Sequence, residues 1–110
     1  MKLLSETLTE LGIAFDFPIR IKDANGNETY YENSTGYWER YERDAKGYKT
    51  YYENSNDYWA RYEYDANGYE TYHEDSDDYW HRYERDAKGD ETYFENSGGL
   101  KRGTPKIKAL

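Results

Sequence analysis

Asp23 to Arg43 reads DANGNETYYENSTGYWERYER, and the chain then says it again. Asp44 to Tyr64 reads DAKGYKTYYENSNDYWARYEY, and Asp65 to Arg85 reads DANGYETYHEDSDDYWHRYER. Asp86 to Ser97 opens a fourth copy, DAKGDETYFENS, that breaks off at Gly98-Gly99. The period is 21 residues. Self-similarity at a fixed period of this kind marks a repeat architecture, in which each copy supplies one small unit that packs on its neighbours.

Within a copy, Asn27–Glu32 and Tyr37–Arg43 are rich in Thr, Tyr and Trp, which suit strands. Asn33-Ser34-Thr35-Gly36 lies between them, and Asp44-Ala45-Lys46-Gly47 follows. The second cluster fits a type I turn closed by a left-handed Gly, as in a three-residue bulged hairpin loop. Side chains alternate faces along a strand, so an odd period places equivalent residues alike only if the two turns differ in parity. The reading assigns four loop residues to Asn33–Gly36 and three to Ala45–Gly47. One face then carries Tyr30, Glu32, Tyr37, Tyr41 and their copies. The other carries Thr29, Trp38, Arg40 and Glu42 with the series Tyr31, Tyr52, His73, Phe94. Tyr31 faces Trp38 across the strands, Thr29 faces Arg40, and His73 and His81 point to opposite faces. The expected fold is all-β: an antiparallel up-and-down meander of about eight strands with a short N-terminal helix cap. Its strongly twisted or curled sheet is expected to self-associate as a homodimer.

Three regions follow. Residues 1–22 hold a helix at Ser5–Leu11, with Ser5 as N-cap and Gly12 at the C-terminal end. An alternating strand, Phe15 to Lys22, comes next, and Pro18 marks it as an edge. Residues 23–97 are the tandem hairpins (23–43, 44–64, 65–85, 86–97). Residues 98–110 are expected to be a flexible basic tail.

Composition narrows the class. At 110 residues there is room for one domain, and there is no Cys to build disulfides or thiolate metal sites. No apolar run is long enough for a signal peptide or membrane span, which leads to an expected soluble, cytoplasmic protein. There is no Val, and between Lys22 and Gly99 there is no Leu, Ile or Met. All 15 Tyr and all three Trp lie in that stretch, so a core there is aromatic. Residues 23–97 carry twenty carboxylates against eight Lys and Arg, while 98–110 carry four cations and no carboxylate side chain. An acidic block of this size repels nucleic acid and membranes and attracts basic partners.

Arg61-Tyr-Glu-Tyr-Asp-Ala-Asn-Gly68 and Arg40-Tyr-Glu-Arg-Asp-Ala-Lys-Gly47 resemble the YD repeats of RHS-type proteins, over about two thirds of the chain. The resemblance implies spiralling strips of antiparallel strands. The Tyr-Trp pair and the Glu-Asn-Ser turns depart from that pattern. The compact, acidic whole also resembles phage counter-defence inhibitors of the anti-restriction or anti-CRISPR kind, which implies action by binding in the host cytoplasm.

Chemistry is sparse. The repeated carboxylates sit in similar environments, whereas a catalytic pair needs two different ones. Glu74-Asp-Ser-Asp-Asp78 has the oxygen density calcium requires but not the EF-hand spacing. No phosphate loop, nucleophile elbow or zinc motif is present. The expectation is a protein without enzymatic activity, cofactor or metal, with direct nucleic-acid binding disfavoured. It would bind a basic host protein, a nuclease or Cas-type effector. The expected contact residues are Glu32, Glu53, Glu74, Asp75, Asp77, Asp78, Tyr37, Tyr58 and Tyr79, with an aromatic face of Trp38, Trp59 and Trp80. Two alternatives are an aromatic module for carbohydrate or choline-type ligands, and a self-assembling structural repeat whose Asp90–Glu95 edge joins copies.

Overall fold

The hairpin signals become nine strands in a computed structural model that describes residues 2–106. Helix α1 (Leu4–Glu10) is followed by β1 (Ile19–Lys22), β2 (Glu28–Glu32), β3 (Trp38–Arg43), β4 (Lys49–Asn54), β5 (Trp59–Tyr64), β6 (Glu70–Asp75), β7 (Trp80–Arg85), β8 (Glu91–Asn96) and β9 (Lys101–Gly103). Strand order is sequence order, and β1 and β9 are the two end strands of an open, antiparallel up-and-down sheet. The chain forms two compact units, one ending at Tyr58 and the other beginning at Trp59.

The expected register is corrected by one residue. Tyr31 pairs with Glu39, not Trp38, and Tyr30 pairs with Arg40. The reason is that both turn types are the same turn. Asn33 N–H donates to the Tyr37 carbonyl and Gly36 N–H to the Asn33 carbonyl, as Asp44 and Tyr48 do around Gly47. The entry side chain accepts two backbone N–H groups in each case: Asn33 Oδ1 from Thr35 and Tyr37, Asp44 Oδ1 from Lys46 and Tyr48. Both loops therefore hold three residues, and the parity of the period is met elsewhere. A bulge shifts the ladder between Glu42 and Arg43, where Tyr51 and Lys49 are the partners and Thr50 is the extra residue. The same irregularity recurs beside Thr29, Thr71 and Thr92. The Thr29 and Thr50 hydroxyls donate to the carbonyls of Ile21 and Glu42 opposite. The repeated Thr is thus the bulge residue of each copy.

The one-residue correction exchanges partners between faces, because side chains alternate. In each unit one face now carries the Trp–Arg–Glu series with Tyr and Glu of the neighbouring strand. The other carries most of the remaining Tyr rings. A further tie repeats along the chain: Ser55 N–H donates to the Trp38 carbonyl while Trp38 N–H donates to Ser55 Oγ at 3.3 Å. Ser76 and Trp59 repeat it, as do Ser97 and Trp80.

In the first unit α1 ends one residue earlier than expected and has no side-chain cap; Leu3 stands at its N-cap. Ser5 serves another purpose. Arg40, Arg61 and Arg82 pair across the ladder with Glu53, Glu74 and Glu95, but the residue opposite Glu32 is Ile19, which cannot bond a carboxylate. Ser5 supplies what Ile19 lacks. Its backbone N–H donates to Glu32 Oε1 at 3.1 Å and its hydroxyl to Glu32 Oε2, while Tyr30 OH donates to Oε1 at 2.9 Å. Glu32 is only 1% exposed. The expected strand from Phe15 is shorter, starting at Ile19.

In the second unit pairing does not stop at Gly98-Gly99. Asn96-Ser-Gly-Gly makes the same turn, and β9 pairs with β8 through Lys101 opposite Glu95. Part of the expected tail is thus a strand, and the Asp90–Glu95 edge expected to be open is covered. Residues 107–110 of that tail lie outside the described residues. Tyr93, Phe94 and Ala60 are this unit's buried apolar residues, and Ile19 is the first unit's. No helix among the described residues is long and apolar enough to cross a membrane.

Candidate protein-binding surface

The ionic face repeats one construction. Arg40 Nε donates to Glu53, its Nη1 donates to Glu42 at 3.0 Å, and its guanidinium lies 5.2 Å from the Tyr51 ring centroid. Arg61 pairs with Glu74 and lies over Tyr72. Arg82 Nε donates to Glu95 at 2.5 Å, Nη1 to Glu84 at 3.0 Å, and the group stacks on Tyr93 at 4.9 Å. Glu53 holds the Arg40 guanidinium still more firmly charged than usual. Each station is a carboxylate–guanidinium–phenol sandwich whose charge is settled within the molecule.

This sorts the expected contact residues. Glu32, Glu53 and Glu74 are committed to internal partners. Asp75 Oδ1 accepts the Asp77 and Tyr79 N–H groups and Oδ2 meets His73 Nε2 at 3.0 Å. Its carboxyl sits below the usual range: burial acts upward, but the His73 bond and the two turn N–H groups outweigh it. Glu74 points to Arg61 on one face and Asp75 to His73 on the other, so the acidic turn does not gather its oxygens. No group of three or more potential metal ligands occurs among the described residues. Asp77 and Asp78 stand exposed at the tip, and their carboxylates have no hydrogen bond or ion pair among the described residues. Asp57 does the same in the first unit, and it and Asp78 adopt φ of 64° and 61° where other copies use Gly. Trp38, Trp59 and Trp80 lie half-buried on the ionic face, apart from Tyr37, Tyr58 and Tyr79 on the other.

That other face is aromatic. In the first unit Tyr41 and Tyr52 rings lie 5.2 Å apart, and Tyr52 and Tyr58 rings 6.1 Å apart. Glu39 Oε2 accepts both the Tyr41 and Tyr52 hydroxyls at 2.8 Å. Burial first, then this bonding, pushes the Tyr41 hydroxyl's ionisation well upward. Tyr52 is raised likewise, by burial and then by Tyr37. In the second unit the corrected register brings together what the sequence reading had separated. His73 and His81 are direct cross-strand partners, stacked with centroids 5.0 Å apart and planes 12° from parallel. His81 Nε2 meets Glu70 at 2.7 Å and its Nδ1 meets Tyr79 OH at 3.2 Å. Tyr62, Tyr83 and Phe94 complete the ring cluster. The hydrogen-bond partners of the two imidazoles are two carboxylates, Asp75 and Glu70, and the Tyr79 phenol.

Glu39 and the Ser–Trp ties escaped the sequence reading. Glu39 was detectable as the one carboxylate in a series that reads Glu39, Ala60, His81. No family model matches the chain, and no curated protein matches it.

Proposed function

We propose that this chain is a non-enzymatic binding protein that occupies a basic surface of a nucleic-acid-processing protein, in the manner of a phage counter-defence inhibitor. The observation that carries this is the exposed carboxylates at the hairpin tips, Asp57 in the first unit and Asp77 and Asp78 in the second. They sit on three-residue turns whose entry side chain, Asn54 or Asp75, already accepts two backbone N–H groups. Charge held on a pre-formed turn loses little entropy when it meets a cation. The net charge of −8 supplies steering toward a basic groove. The half-exposed Tyr, Trp and Arg side chains beside these tips are the residue types that dominate protein interfaces.

Assembly by edge pairing draws no support from the end strands. β1 and β9 are four and three residues long and carry Arg20, Lys22, Lys101 and Arg102. Short cationic edges discourage further strand addition.

The test is capture from host lysate on the immobilised chain, followed by elution with double-stranded DNA at constant ionic strength. The expected result is a retained nuclease or effector that salt weakens and DNA displaces. A partner held equally in high salt and indifferent to DNA contradicts the proposal.

A further inference from the structure

We propose that the first unit carries a receptor site for a single basic side chain, an arginine or lysine of the partner protein, on its aromatic face around Glu39. This rests on the reading above that the partner is basic.

Glu39 is half-buried and makes no ion pair among the described residues. Among the described residues its hydrogen bonds come from neutral donors, the Tyr41 and Tyr52 hydroxyls at 2.8 Å. A carboxylate withdrawn from water without a cation is costly, and a partner's cation removes that cost. The rings around it present π faces: Tyr52 and Tyr58 are tilted 57° at 6.1 Å, and Tyr37 OH lies 3.4 Å from Tyr52 OH. Cations already settle on this face wherever the chain tethers one nearby. Lys49 Nζ lies 5.0 Å from the Tyr41 ring and 5.4 Å from Tyr52, Arg43 stacks on Tyr41, and Arg20 stacks on Tyr31 at 4.8 Å. The face thus accepts cations, and at Glu39 it carries a carboxylate that makes no ion pair among the described residues. A guanidinium or ammonium bonded to Glu39 and flanked by Tyr rings completes the arrangement.

The copies make the site specific to the first unit. Ala60, fully buried, holds the equivalent place in the next copy, and His81, bonded to Glu70, holds it in the third. The same comparison supplies substitutions that the fold accepts. The experiment is calorimetric titration of the whole chain with an oligoarginine peptide at low salt. Wild type, Glu39→Ala, Glu39→Gln and the tip variant Asp77→Asn/Asp78→Asn are compared, with circular dichroism confirming each fold. Wild type is expected to bind, both Glu39 variants ~5-fold or more weakly, and tyrosine ring signals of Tyr37 and Tyr52 to shift only when Glu39 is present. Equal binding by wild type and both Glu39 variants, with loss confined to the tip variant, overturns the Glu39 site and leaves the basic-partner reading standing. No binding by wild type overturns both.

Discussion

Gly36 and Gly89 end equivalent turns at φ of 90° and 89°, yet they differ in what a side chain would meet. A Cβ on Gly36 has nothing within 4 Å, whereas one on Gly89 would stand 2.5 Å from the Tyr69 ring. Gly36→Ala is expected to cost about 1 kcal/mol for the left-handed backbone alone. Gly89→Ala should cost about 2–4 kcal/mol, since overpacking adds to it. Urea denaturation of the two variants checks the difference. Gly36→Asp should be tolerated, since Asp57 and Asp78 already hold that place in their own copies. Asp75 gives a pH prediction. Its folded ionisation lies below the unfolded value, so it stabilises the fold above about pH 4 and that contribution fades as pH falls further. Asp75→Asn keeps the turn acceptor that Asn33, Asn54 and Asn96 provide elsewhere. Its stability measured across a pH series should be flatter below pH 4 than that of the wild type. At this scale the turn residues were legible, because Asx and Gly chemistry is local. The bond from His73 to Asp75 was missed although the two stand two residues apart on β6 and share a face, because it depends on side-chain rotamers that alternation does not fix.

Helix α1 stands in for a missing strand partner. Its Ser5 gives Glu32 the bonds that Arg40, Arg61 and Arg82 give the later glutamates. Ser5→Ala leaves a nearly inaccessible carboxylate short of one donor and should cost about 1–3 kcal/mol. Hydrogen exchange should quicken in the amides of 4–10 and stay unchanged in β6 to β8; uniform quickening would argue against a local role. The aromatic strands predict alkaline behaviour. Tyr41 and Tyr52 ionise less readily folded than unfolded, so stability is intact below the ordinary phenol range near pH 10 and is lost as pH rises through it. Phenolate absorbance of these two should appear together with unfolding; their ionisation in a still folded chain contradicts the burial described. The sequence showed where strands and the helix lie because composition and alternation are written along the chain. It misplaced the register because parity was assigned to loop length, when Asn33 and Asp44 build the same turn and Thr50 bulges instead. Ser5 looked like an N-cap, and only the absence of an Arg opposite Glu32 hints at its real use.

The molecule is a period made physical. Two three-residue turns and one bulge consume 21 residues and return the chain to the same face. Removing residues 44–64 joins Arg43 to Asp65 and preserves every local junction. The shortened chain is expected to fold with two fewer strands and to unfold cooperatively, as circular dichroism during heating will show. A deletion one residue shorter puts each later side chain on the wrong face and should abolish that transition. The meander was legible from the repeat alone. The separation into an ionic face and an aromatic face was not, since it depends on which residue faces which. The proposed cation site inherits that dependence, because Tyr52 stands opposite Tyr41 and bonds Glu39 only in this register.

Register is therefore the measurement to make first. In a solution nuclear Overhauser spectrum, the account predicts contacts between the imidazole rings of His73 and His81, which pair directly. Contacts from His73 to the Trp80 indole, with none to His81, would place the strands one residue away and dissolve both faces as described.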